Sequence, residues 1–133
     1  ELAAQIRSLG LEDAFELMGE RDDVPVQLER MDIFCMPSRT EGFPNGLAEA
    51  MAMQRFCVAT NVGDTGLLLG DAGILVASSD AEALSEALAA GLKLSAGGRQ
   101  AVGQAAGARV RELFSIDMMR TRHDNLYRQL QQE

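Results

Sequence analysis

Short apolar runs that alternate with amphipathic helical patterns constrain this fold most. The clearest run, residues 31–36, is followed by a turn-rich loop and then by a helical pattern over residues 44–53. A nearly continuous apolar run of this length is typical of a parallel strand that is covered on both faces. The repeated order of strand and helix predicts an α/β fold built on a doubly wound parallel sheet. A chain of 133 residues suffices for one such domain.

The same patterns predict about four strands and an all-helical C-terminal third. The strands are expected at residues 14–18, 31–36, 55–60 and 73–76. Helices are expected at residues 2–9, 24–30, 44–53, 81–94, about 99–113 and from 116 onward, with a helical turn at 65–69. Asp22 or Asp23, Asp80 and Ser115 are the expected helix caps, and Gly97-Gly98 is expected to break the chain.

Composition excludes several classes of function. The formal charge of −8, from 20 acidic and 12 basic residues, opposes a surface that follows nucleic-acid phosphates. No apolar run approaches the roughly 20 residues of a transmembrane helix. Cys35 and Cys57 fall in predicted strands, so we expect two unreactive core thiols and a reducing, cytoplasmic location. With His123 as the single histidine, in a surface or packing role, no metal site is predicted.

The loop after the second predicted strand carries the chemistry. Pro44 suits the first position of the following helix, so the amides of Asn45 and Gly46 would be free beside the positive end of the helix dipole. Such a helix start favours an anion. Glu41 and Glu49 would repel a lone phosphate, so they make sense only as acceptors for sugar or ribose hydroxyls. A nucleotide-sugar carries both groups.

Each candidate also has a purely structural interpretation. Glu41 could cap the helix, and Glu49 could be a solvated surface carboxylate, although helical spacing places it opposite the apolar face. Arg39, the nearest cation, is interpreted as a solvated loop residue. Gly63 begins a second loop at the end of the next strand and could line the same site.

The order of motifs resembles a known family. Pro37-Ser38-x-x-Glu41-Gly42-Phe43-Pro44-Asn45, followed by Glu49-Ala50-Met51-Ala52, is similar to the donor-site motif of family-4 retaining glycosyltransferases. Three further segments resemble that family's neighbouring strands, and a fourth its terminal helix: Leu17-Met18-Gly19, Cys57 to Gly63, Gly73 to Val76 and Phe114-Ser115.

The resemblance implies a fold and a reaction. The fold would be Rossmann-like, and residues 1–133 would be a partial donor-binding domain, half of a two-domain enzyme. The enzyme would transfer a sugar from a nucleoside diphosphate sugar, its donor substrate, to a hydroxyl acceptor with no separate cofactor. Glu41 would contact the transferred sugar as the catalytic residue, and Glu49 would bind the ribose hydroxyls. Backbone groups of the loop and of the helix start would bind the rest of the donor, namely Gly42, Phe43, Pro44, Asn45, Gly46 and Gly63.

The resemblance also identifies what this chain is expected to lack. The acceptor domain, the first strand and helix of the donor domain, the strand after them and a basic Arg–Lys pair would lie outside it, and the fragment alone would be inactive. Apolar residues left without neighbours then predict a two-fold homodimer. They are Phe15, Leu17, Ile116, Met119, Leu126 and Tyr127.

Five residues depart from the family pattern: Gln54, Phe56, Asp64, Gly66 and Leu67. Those at Asp64, Gly66 and Leu67, together with the missing segments, favour an alternative, a non-catalytic, degenerate Rossmann-like module for binding or self-assembly. The fold alone leaves a second alternative open, a sugar-nucleotide epimerase of similar architecture.

Overall fold

A computed structural model describes residues 1–131 as an α/β arrangement. In these residues three strands lie among seven helices. Their bounds are α1 Leu2–Ser8, α2 Val24–Arg30, β1 Ile33–Met36, α3 Asn45–Ala52, β2 Phe56–Thr60, α4 Thr65–Leu69, β3 Ile74–Val76, α5 Ala81–Lys93, α6 Ala96–Leu113 and α7 Ile116–Leu130.

The sheet is parallel, as predicted, with β2 between β1 and β3. Every residue of β2 is buried, and its side chains alternate between two apolar layers. Phe56 and Val58 face a layer with Ala87 of α5, whereas Cys57 and Ala59 face a layer built mainly by α3, α4 and α6. Because both faces of the central strand are covered, β2 reads as a continuous apolar run.

The prediction of a strand at residues 14–18 is wrong, because the structure has no strand there. The amides of Ala14 and Phe15 donate to the carbonyl of Leu11 in a turn instead of pairing with a neighbouring strand. The Phe15, Leu17 and Met18 side chains are 40–55% exposed, so no core holds this segment extended. The described sheet therefore has three strands rather than about four.

The break expected at Gly97-Gly98 is also wrong. The Ser95 hydroxyl accepts a hydrogen bond from the Gly98 amide and starts α6 at Ala96, so both glycines lie in its first turn. Later in α6, Gly103 and Gly107 are buried against the end of α3. A methyl group at Gly103 would overlap the Gln54 carbonyl oxygen, so this glycine permits close approach of the two helices.

The remaining helix caps are of two kinds. Asp80 and Ser115 accept from the third residue after them, as predicted, and begin α5 and α7. Asp23 precedes α2 but does not cap it with its side chain. Instead its carboxylate accepts from the Arg21 guanidinium and from Gln27, and the Arg21 hydrogen bond is the main cause that lowers the pKa of Asp23.

Three arginines bind helix ends. Arg55 donates to the carbonyls of Glu29, Met31 and Met53, at the ends of α2 and α3. Arg99 donates to the carbonyls of Gly91 and Leu94 at the end of α5, and to the Asp32 carboxylate 3.2 Å away. Arg109 donates to the carbonyls of Leu67 and Leu68 in α4. Each guanidinium satisfies carbonyls that lack a partner within their own helix.

Both cysteines are free thiols in the sheet, as predicted. Burial raises the pKa of Cys57 to about 12 and also raises the pKa of Cys35, so both thiols are protonated at neutral pH. No helix within residues 1–131 is long and apolar enough to cross a membrane.

The apolar side chains named for a homodimer are largely exposed. On α7 no residue is buried, and Ile116, Met119 and Tyr127 are 52–68% exposed. Exposure is the condition on which the homodimer depends, and the homodimer itself stays a prediction.

Candidate functional site

The loop between β1 and α3 is attached to the end of the neighbouring strand. Thr60, the last residue of β2, is 3% exposed, and its hydroxyl donates to the Ser38 carbonyl at 2.6 Å. The same hydroxyl lies 3.4 Å from the Met36 carbonyl. This side chain therefore fixes the position at which the loop leaves the carboxyl edge of the sheet, the edge at which open α/β sheets bind ligands.

Glu41 is oriented by the residue that Thr60 holds. The Ser38 hydroxyl donates to Glu41 Oε1 at 2.6 Å, a short charge-assisted hydrogen bond. No side chain caps α3, so Glu41 does not act as its cap. A carboxylate held by one donor still has acceptor capacity for further hydroxyl groups.

Gly63 brings the second loop against the first. Its φ of +51° lies in the left-handed region, and a side chain there would overlap the Glu41 carbonyl oxygen. One residue later, the Asp64 amide donates to the Gly42 carbonyl at 3.1 Å. The loops after β1 and β2 thus form one unit through backbone contact, and only glycine fits at the contact.

The start of α3 lies in this unit with its first amides open. Pro44 is the N-cap rather than the predicted first residue of the helix, because its ψ of 86° is not helical. The helix therefore begins one residue later than predicted, at Asn45. The first backbone hydrogen bond of the helix runs from the Ala48 amide to the Pro44 carbonyl. The amides of Asn45 and Gly46 precede that bond, and both residues are exposed. The predicted open helix start is therefore present.

Glu49 lies on the exposed side of α3. Leu47, Ala50 and Met51 are fully buried on its other side, so the helical spacing predicted the orientation of Glu49 correctly. In the described part of the chain its carboxylate has no hydrogen-bond partner.

The departures from the family pattern fall at both edges of the sheet, with Asp64, Gly66 and Leu67 at the carboxyl edge and Gln54 and Phe56 at the amino edge. Asp64 is the N-cap residue of α4 without capping it, and Leu67 in α4 is 62% exposed. Gly66 lies against the Asn61 side chain, where a Cβ would be 2.8 Å from Asn61 Oδ1. Gln54, at the opposite edge of the sheet, has a φ of +58°, a conformation that favours glycine.

Four residues near this loop were not predicted to act there. Ser38 lies three residues before Glu41, so its position in the motif was an available signal. Thr60, Arg122 and His123 are distant from the loop in sequence, and only the fold brings them near it. The last two line a cavity of about 410 Å³ together with Phe43 and Asn45. His123, expected to have a surface or packing role, is exposed, and its Nδ1 lies 2.9 Å from the Met119 carbonyl.

Two further expectations concern cations. Arg39 is exposed in the loop, consistent with its interpretation as a solvated residue. Among residues 1–131, no cluster of three or more His, Cys, Asp or Glu side chains could hold a metal ion.

Comparison with known proteins gives the family. The model of the family "Glycosyl transferases group 1" matches residues 1–93. A lipopolysaccharide core biosynthesis mannosyltransferase, LpcC of Rhizobium leguminosarum bv. viciae, is 37% identical over 91 residues, which are 67% of this chain and 26% of that protein. The chain thus spans about a quarter of that relative's length.

Solved structures give the same fold. Sucrose-phosphate synthase of Thermosynechococcus elongatus superimposes with a TM-score of 0.86 at 26% identity, over 97% of this chain and 33% of that one. The Anabaena protein HepE, solved in complex with UDP-glucose, superimposes with a TM-score of 0.84 at 22% identity, over 95% of this chain and 35% of that one. The fold is therefore the Rossmann-like fold of these enzymes, and this chain matches a part of each.

Proposed function

We propose that this chain, which belongs to the group 1 glycosyltransferases, is the nucleotide-sugar donor-binding part of a retaining enzyme. The enzyme would transfer a sugar from a nucleoside diphosphate sugar to a hydroxyl acceptor. The observation that carries this proposal is the Glu41 carboxylate, which Ser38 orients at the carboxyl edge of the sheet beside the open start of α3.

The arrangement separates acceptors from donors as a nucleotide-sugar requires. Glu41 and Glu49 are acceptors, which match the hydroxyl groups of a sugar and of ribose. The exposed amides of Asn45 and Gly46 are donors beside the positive end of the α3 dipole, which match a diphosphate. Gly63 permits the second loop to approach this region without a side chain in the way.

The proposed mechanism follows from these roles. Glu41 would bind the transferred sugar near its reacting carbon. As the bond to the diphosphate breaks, negative charge develops on the leaving oxygen, and the amides that begin α3 would stabilise it. The acceptor would bind to the remaining part of the intact enzyme, which would also supply the basic pair for the diphosphate. The chain alone is then expected to bind the donor weakly and to transfer nothing.

The sign of a charge effect tests this proposal. UDP-glucose and UDP would be titrated into the isotope-labelled chain and followed by NMR. The titrations would be repeated for Glu41→Gln and Glu49→Gln, and for the control Glu86→Gln at an exposed position of α5. Removing a negative charge near a diphosphate strengthens binding if the carboxylate is a bystander. If the carboxylates accept hydroxyls, each substitution weakens binding, by roughly tenfold.

The two ligands separate the two roles. Glu49→Gln should weaken both UDP and UDP-glucose, because both contain ribose, whereas Glu41→Gln should weaken UDP-glucose alone. Amide shifts confined to α5 and α7, or tighter binding by both variants, would contradict the donor site. In that case a non-catalytic binding or self-assembly module would better explain why the chain has the glycosyltransferase fold but departs from the family pattern at Asp64, Gly66 and Leu67.

A further inference from the structure

The cavity beside Phe43 is a candidate for a second ligand. It lies between the loop that ends at Asn45 and the turn from α6 to α7, and its volume is about 410 Å³. One wall is aromatic, because the Phe43 and Phe114 rings have centroids 5.9 Å apart and are tilted by 45°. Phe43 is 43% exposed and Met119 is 52% exposed, so apolar surface faces the opening.

The other wall carries one cation, Arg122. Met119, Arg122 and His123 recur at the spacing that places side chains on one face of α7, and all three line the cavity. Ion pairs within residues 1–131 join Arg21 to Asp23, Arg99 to Asp32, and Arg120 to Asp117, and Arg122 takes part in none of them. Its guanidinium therefore keeps its donors for a ligand.

The His123 ring offers a hydrogen-bond acceptor rather than a second donor. Its Nδ1 lies 2.9 Å from the Met119 carbonyl oxygen, and a carbonyl only accepts. In the neutral ring Nδ1 therefore carries the proton and donates, which leaves Nε2 as an acceptor, so the anion is assigned to Arg122 alone.

The charge of the lining differs from that of the chain. The chain carries a net charge of −8, yet no Asp or Glu lines this cavity. An anion would meet Arg122 without a competing carboxylate, and a guanidinium pairs with carboxylate or phosphate in a bidentate way. An apolar ring would pack on Phe43 and Phe114.

We propose that this cavity binds a small organic anion that carries an apolar ring, with its carboxylate or phosphate on Arg122 and its ring packed against the aromatic wall of Phe43 and Phe114. The cavity shares Phe43 and Asn45 with the proposed donor site, but Glu41, Gly46 and Gly63 do not line it. Its ligand is distinguished from a nucleotide by the residues that respond, which lie on α7 rather than at Gly63.

The test titrates phenyl phosphate and benzoate into the isotope-labelled chain, with inorganic phosphate and benzyl alcohol as half-ligands. We expect saturable shifts at Phe43, Asn45 and residues 114–123, with a dissociation constant on the order of 1 mM for the better aryl anion. Arg122→Gln should weaken binding roughly tenfold, and Arg122→Lys should retain part of it. Arg120→Gln is the matched control, because Arg120 lies on the same helix but outside the cavity.

Several results would overturn the proposal. One is that Arg120→Gln and Arg122→Gln weaken binding of the aryl anions equally. Another is that inorganic phosphate or benzyl alcohol binds as tightly as both aryl anions. A third is that the amide shifts do not saturate or that they centre on Gly63. The NMR spectrum of Arg122→Gln without ligand shows whether this variant is folded. If it is not, Arg122→Lys provides the test instead. The site is rejected if Arg122→Lys binds both benzoate and phenyl phosphate as tightly as the unchanged chain and the shifts centre on Gly63.

Discussion

The two edges of the sheet use polar groups in opposite ways. At the amino edge, Arg55 and Arg99 line a cavity of about 250 Å³, but both guanidinium groups donate to helix-terminal carbonyls, and Arg99 also to Asp32. At the carboxyl edge the loops are held by the Thr60 and Ser38 hydroxyls and by the backbone of Gly63 and Asp64. Within residues 1–131, Glu49 and the first amides of α3 have no hydrogen-bond partner, and Glu41 accepts only from Ser38.

The comparison shows that charge inside a cavity does not by itself make a binding site. Two arginines at the amino edge suggest an anion site, yet their hydrogen bonds are already used to end three helices. The carboxyl edge holds its loops with small side chains and close backbone contact, which leaves Glu41, Glu49 and the first amides of α3 for a ligand. The first edge should therefore govern stability, and the second should govern binding.

The largest effect is expected at the contact between the two loops. In Gly63→Ala the new methyl group would overlap the Glu41 carbonyl oxygen, and alanine would have to adopt a φ of +51°. Strain and overlap together should lower the free energy of unfolding by about 3 kcal/mol, measured by urea denaturation. Gly42→Ala is the control, because nothing lies within 4 Å of a Cβ there. Equal losses for the two variants would mean that the loop contact is not specific.

Arg55 tests the amino edge by itself. Arg55→Met leaves the carbonyls of Glu29, Met31 and Met53 without this donor, and should lower the free energy of unfolding by about 2 kcal/mol. The control Arg30→Met, at an exposed position in the last turn of α2, should change it little. UDP-glucose titration should be unaffected by Arg55→Met under native conditions. A matching loss of donor binding would contradict the division between the edges.

Ser38 tests the carboxyl edge in the reverse direction. Ser38→Ala removes the 2.6 Å hydrogen bond to Glu41 Oε1 but retains the carbonyl that Thr60 binds. We expect about 1 kcal/mol or less in stability and a loss of donor affinity of roughly fivefold, because Glu41 is no longer oriented. Ser38→Thr restores a hydroxyl and should recover part of the affinity. If Ser38→Ala weakens UDP as much as UDP-glucose, the serine acts on the whole loop rather than on Glu41.

Local sequence signals sufficed for the central elements of the fold and for the loop at its carboxyl edge. The β2 run and the apolar side of α3 are buried as their periodicity predicted, since each pattern reports a face that must meet a core. The segment from Ser38 to Glu49 lies directly after β1, so the strand, the loop and the helix start were all visible in one continuous stretch.

Long-range geometry decided the rest. Residues 14–18 alternate like a strand, but a strand also needs a paired neighbour, and the Leu11 turn takes the first amides instead. Gly97 and Gly98 look like a chain break, yet the Ser95 cap starts α6 there. Arg122 and His123 lie far along the chain from Phe43, so no local pattern could place them in one cavity.

Backbone strain gives the smallest effect and compares the edges directly. Gln54 at the amino edge and Ser79 after β3 at the carboxyl edge both have positive φ, +58° and +63°. Glycine relieves about 1 kcal/mol of left-handed strain, but it also increases the entropy of the unfolded chain. Ser79 is exposed, so Ser79→Gly should raise the free energy of unfolding by about 0.5 kcal/mol. Gln54→Gly should gain less, because the Gln54 side chain fills space beneath Gly107, where a Cβ would lie 2.9 Å from its Cγ. Paired urea denaturation of the two variants measures the difference. A larger gain at Gln54 would show that glutamine at this position carries uncompensated strain and that its packing between α3 and α6 contributes little.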